Sequence, residues 1–148
     1  MQETDYDDPV IEEKWCSERR EQLEEYLLRE NVRHGQIGDW PAWHVAPYVS
    51  IWAIESATHT DKLGWWVICG DLPTDHVSAT ELKNPREALR AIVTRWSELA
   101  EYMIRGESHP SIQIGEANSW TELGPLLESR ANLLAKWAED DSIWTDAQ

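Results

Sequence analysis

Few side chains in this 148-residue chain combine ligating or acid–base chemistry with a spacing that could bring them together. The best placed are His44, which enters one strongly apolar stretch, and Asp71, Asp75 and His76, which leave the next. If the two stretches pair as an antiparallel hairpin, the start of one and the end of the other share one end of a sheet. His44 is then expected beside Asp71 or Asp75, around a concavity walled by Trp43 and by Trp66 or Trp65. Two imidazoles and two carboxylates suit a zinc-like ion or an acid–base pair. The spacing matches no metal motif, however, and aspartates in a Gly-Asp-x-Pro turn usually cap backbone amides. No metal or cofactor is therefore assigned, and Trp43, His44, Trp66, Asp71, Asp75 and His76 stand as ligand-binding candidates. Cys69 with His44 or His76 as base would make a thiol nucleophile, but cysteine more often serves as a small buried hydrophobe. Glycine-rich phosphate loops, Gly-x-Ser-x-Gly and His-Glu-x-x-His are absent from the sequence.

The elements that must position these residues are legible from periodicity. Residues 40–75 hold five of the ten tryptophans. Val49, Ile51 and Ala53 alternate with Tyr48, Trp52 and Ile54, and Leu63, Trp65, Val67 and Cys69 alternate with Trp66 and Ile68. Both sets in each run are apolar, which predicts two strands covered on both faces. Ser56 to Lys62 is too short for a crossover helix, so the strands form a hairpin over 48–55 and 63–70. Asp8-Pro9 caps a helix over 9–31 with Ile11, Trp15, Leu23, Tyr26 and Leu27 inward, stopping near His34-Gly35. Its Glu12, Glu13, Arg19, Arg20, Glu21, Glu24, Glu25 and Arg29 read as a solvated face. Residues 35–47, with two Gly and two Pro, read as an irregular loop carrying Asp39, Trp40, Trp43 and His44. Ser78 to Glu81 matches a capping box and predicts a helical turn near 79–83. Asn84-Pro85-Arg86-Glu87 opens a helix over 85–105, with Ala88, Leu89, Ile92, Val93, Trp96, Leu99, Ala100 and Met103 on one stripe and Gly106 as its stop. Ser111–Ile114 could add an edge strand. Ser119 to Glu122 caps a last helix over 120–139, lined by Leu123, Leu126, Leu127, Leu133, Leu134 and Trp137 and kinked at Gly124-Pro125. Trp144 is expected to dock back.

The expected fold is α+β: a small antiparallel sheet built on a central two-sided hairpin and packed by three amphipathic helices. One domain over 8–140 is expected, with 1–7 and 141–148 as flexible acidic termini. A sheet this small has edges that helices or a second subunit must cover, which leaves a homodimer open.

The net charge is −15. Residues 1–31 hold 11 acids against 4 bases and residues 116–148 hold 7 against 2, so the excess sits at the chain ends. Nucleic acid and anionic membrane would be repelled by such a surface. No apolar run approaches the roughly 20 residues of a membrane helix, and the acidic N-terminus is unlike a signal peptide. Cys16 and Cys69, in no redox motif, read as free thiols of a reducing compartment, so the expected location is cytoplasmic.

Gly38 to Glu55 and Gly64 to Asp75, together with Asn-Pro-Arg-Glu-Ala at 84–88 and Trp96, resemble a family of small uncharacterised bacterial proteins, domain of unknown function 4826. The resemblance covers roughly residues 10–140. It implies a bacterial cytoplasmic single-domain protein and brings no activity or catalytic residue. The favoured expectation from the residues is a non-enzymatic, acidic protein acting as inhibitor, immunity-type or regulatory partner of a basic protein. The alternative is a small enzyme or ligand-binding protein using the His44, Asp71 and Asp75 end of the hairpin.

Overall fold

The computed structural model describes residues 5–107 and 120–144. The chain divides into two compact units, Met1–Pro85 and Arg86–Gln148. Among the described residues the elements are three helices and one four-stranded antiparallel sheet, an α+β fold.

The first unit opens with α1, Pro9–Arg29. Asp8 caps it by accepting from the Val10 amide at 2.9 Å, and Pro9 takes the first position, where no amide is needed. The helix ends earlier than the expected His34-Gly35 stop. Asn31 adopts a left-handed φ of 56°, and the Val32 and Asn31 amides return to the carbonyls of Leu27 and Leu28. Asparagine tolerates that conformation, so it supplies the stop normally given by glycine. Trp15, Cys16, Leu23, Tyr26 and Leu27 are buried.

The sheet runs in the order β1 (Trp43–Val45), β2 (Val49–Glu55), β3 (Leu63–Gly70) and β4 (Leu72–Ser78). The expected hairpin is β2 and β3, with Ile51 opposite Ile68 and Trp52 opposite Val67. One face carries Ser50, Trp52, Ile54, Val67 and Cys69; Leu23, Tyr26 and Leu27 of α1 form a core cluster with four of these. The other face carries Trp43, Val49, Ile51, Trp66 and Ile68, all buried.

Two strands correct the sequence expectation. Residues 72–78 form a strand, not a turn region. The chain reverses at Gly70–Asp71–Leu72, where Gly70 has φ 145° and a Cβ would lie 2.5 Å from the Tyr48 carbonyl oxygen. Only glycine fits there. Pro73 is tolerated because β4 is an edge strand of this sheet. Residues 35–45, expected to be irregular, follow the free edge of β2. Gly35 and Gly38 donate to the carbonyls of Glu55 and Ala53, Ile37 bridges Ile54, and Ala42 donates to Ile51 before β1 begins. Ile37 faces Ile54 and Trp43 faces Ile51, so six steps of one strand span three of the other. The surplus, Asp39–Pro41, bulges out of the sheet. At 79–83 there is one turn, closed by Leu82 donating to Ala79; Glu81 has φ 68°, which excludes helix.

In the second unit, α2 spans Pro85–Ile104 and α3 spans Trp120–Ala138. Ala88, Leu89, Ile92, Trp96, Leu99, Ala100 and Met103 of α2 are buried, and Gly106 ends it at φ 73°. Leu127, Ala131, Leu134 and Ala138 form the buried stripe of α3, whereas Leu126, expected inward, is exposed. Arg86 donates to the Ala138 carbonyl, while Gly124 abuts Met103 and Ile104, so α2 and α3 run antiparallel. Trp144 is buried, with its indole donating to Trp137 across a 3-10 turn, Asp141–Ile143. The possible strand at 111–114 and the Ser119 cap lie outside the described residues.

Candidate functional site

The six candidates do not converge. The hairpin argument locates the correct end of the sheet, since the Asp71 amide donates to Tyr48 at 2.9 Å. From that end, however, β1 turns out along one edge and β4 along the other. His44 and Asp75 therefore sit on strands separated by β2 and β3, roughly 14 Å at about 4.8 Å per strand. They also face opposite ways: His44 pairs with Ser50 on the α1 side, Asp75 with Ile68 on the reverse. Trp43 and Trp66 are on that reverse face, both buried, and the Trp66 indole donates to the Leu82 carbonyl. Asp71 is exposed at the reversal between β3 and β4. Asp75 is buried, and one of its carboxylate oxygens accepts from the His76 amide at 2.9 Å, a backbone-capping role. His76 meets the Tyr26 hydroxyl at 2.6 Å, with Trp65 edge-on to its ring.

His44 acquires a different set of neighbours. Its Nε2 lies 3.2 Å from a carboxylate oxygen of Glu12, in the first turn of α1. Its ring stacks over Trp15 at 6.2 Å, and Trp40 approaches at 5.5 Å with the planes at 89°. Beside this group opens a cleft of about 510 Å³ lined by Pro9, Glu12, Glu13, Cys16, Ser17, Asp39 and Trp40. The extruded residues Asp39 and Trp40 make one wall and the start of α1 the other. Trp40 is 47% exposed, unusual for so large an apolar ring.

Arg20 holds the bulge. Its guanidinium donates to the carbonyls of Gly38 at 3.0 Å and Ile37 at 3.1 Å, and its third contact is Glu24 at 2.7 Å. Arg19 also leaves the outer face, with its guanidinium over Trp15 and its Nε buried without a hydrogen-bond partner among the described residues. Sequence reading placed both arginines and Glu12 on a solvated face and gave Trp15 only a core role. A signal was present for Arg19: it lies four residues from both Trp15 and Leu23, in phase with the apolar stripe.

The thiols offer no nucleophile. Cys16 and Cys69 are fully buried, and burial pushes both up to about 11, with the Glu12 charge adding to the shift at Cys16. Cys69 Sγ contacts the Ser50 hydroxyl and the Arg19 carbonyl and bonds to no histidine among the described residues. Among the described residues, no group of three or more His, Cys, Asp or Glu is placed to hold a metal ion, and no helix is long and apolar enough to cross a membrane.

Fold and cleft together define a small α+β protein with a carboxylate- and tryptophan-lined surface site. A family model described as a domain of unknown function, DUF4826, matches residues 10–144, and the chain belongs to that family. No curated protein and no solved structure matches it.

Proposed function

We propose that this is an acidic, cytoplasmic binding protein of bacteria whose first helix docks a basic protein and thereby inhibits or regulates it. One observation carries the reading. On α1, Arg19 and Arg20 are turned inward onto Trp15 and the bulge backbone, so carboxylates outnumber bases on the outward face: Glu13, Glu18, Glu21, Glu24 and Glu25 are exposed against Lys14 and Arg29. Of these, Glu24 is partly neutralised by Arg20. The acidic end of α3 is a weaker candidate, because Arg90 pairs with Glu139 and Arg86 with Asp141. Two buried free thiols suit a reducing compartment.

A net-negative carboxylate stripe accelerates encounter with a positive surface, within a range of about 10 Å at 0.1 M salt. The test is capture from the native lysate by the wild-type protein, by E13K/E21K/E25K, and by E128K as a control. Wild type and E128K should retain the same basic protein, with faster association at low salt, and the triple variant should lose it. Recovery of no basic protein, or equal recovery by all three, would overturn the reading.

A further inference from the structure

Resting on that reading, we infer that the cleft between Asp39–Trp40 and the first turns of α1 is a receptor for one cationic side chain, the guanidinium or ammonium group of an arginine or lysine on the partner. Three independent features converge on it. The first is space: the cleft of about 510 Å³ has room for a long side chain. The second is charge. The lining holds Glu12, Glu13 and Asp39 and, among the described residues, no lysine or arginine. Glu12 is engaged by His44, whereas the Glu13 and Asp39 carboxylates make no hydrogen bond or ion pair with any described residue. Both carboxylates are thus free to accept from a guanidinium fork or an ammonium.

The third feature is the exposed aromatic ring. The Trp40 indole is 47% exposed at the cleft because three surplus residues are extruded there and Arg20 fixes the backbone beneath them. An indole face flanked by carboxylates favours a cation over any neutral or anionic group. The apolar stem of such a side chain would lie along Pro9 and the ring. An anion is excluded by the lining charge, and a purely apolar ligand would leave two carboxylates poorly solvated.

The experiment is an NMR titration of the ¹⁵N-labelled full chain with N-acetyl-arginine amide, N-acetyl-lysine amide and the uncharged isostere N-acetyl-citrulline amide. The expected result is saturable shifts of the Trp40 indole and the Glu13 and Asp39 amides with one or both cations, and binding of citrulline roughly tenfold weaker or absent. The relative arginine and lysine affinities identify which cation the cleft prefers. In E13Q/D39N, a substitution of two exposed side chains whose folding the same spectrum reports, the shifts should fall to the citrulline level. Equal shifts with citrulline, or shifts centred elsewhere, would overturn the inference. If a basic peptide perturbs the outer face of α1 while the cleft resonances stay still, the docking helix stands and the cleft receptor falls.

Discussion

Replacing Ser50 with alanine is the most quantitative test of how this fold is held together. Ser50, Trp52 and Cys69 are each fully buried on the sheet face that packs against α1. The Ser50 hydroxyl accepts from the Trp52 indole at 2.9 Å and donates to the Cys69 carbonyl at 3.0 Å. Alanine removes both at once. The indole N–H then stays buried with its acceptor gone, a cost of about 1–3 kcal/mol, and the second hydrogen bond adds about 1 kcal/mol. Little apolar gain offsets this, because the side chains differ by one oxygen. The expected loss is about 2–4 kcal/mol, read as a lower urea midpoint at unchanged slope. A double-mutant cycle with Trp52→Phe isolates the orphaned donor: once the indole N–H is gone, Ser50→Ala should cost about 1–3 kcal/mol less. A loss below about 0.5 kcal/mol for Ser50→Ala alone, or no coupling in the cycle, would refute the reasoning.

Two further outcomes follow from the same geometry. Arg20→Met should cost about 1 kcal/mol or less, since the side chain is a third exposed and solvent replaces part of what is lost, yet it should shift and broaden the Trp40 indole resonance; an unmoved resonance would mean that Arg20 does not hold the bulge. Cys16 and Cys69 should resist alkylation at pH 8 in the folded protein and react promptly in urea. Because folding raises both thiols to about 11, their contribution to stability is intact below the unfolded-state value near 9 and declines as pH rises from 9 to 11. Rapid labelling of the folded chain, or flat stability across that window in comparison with C16A/C69A, would contradict the burial.

Local signals alone determined the helices and the central hairpin. Asp8-Pro9 and Asn84-Pro85 place helix starts because a cap and a first-turn proline need only neighbouring residues. The doubly apolar alternation over 49–55 and 63–70 identifies strands buried on both faces for the same reason. β4 was hidden because Gly-Asp-Leu-Pro-Thr-Asp has turn composition, and only its position at a sheet edge makes proline and polar alternation compatible with a strand. The site was hidden more deeply. His44 and Glu12 are 32 residues apart, and nothing local says that the first turn of α1 reaches β1. Whether Arg20 faces water or the bulge depends on carbonyls at Ile37 and Gly38 that are free only because Asp39–Pro41 is extruded from the pairing. The sequence limits which groups can do chemistry. Which of them meet is decided by the direction each strand takes after its turn, because a sheet with its two outer strands on opposite edges separates what a hairpin end seems to join.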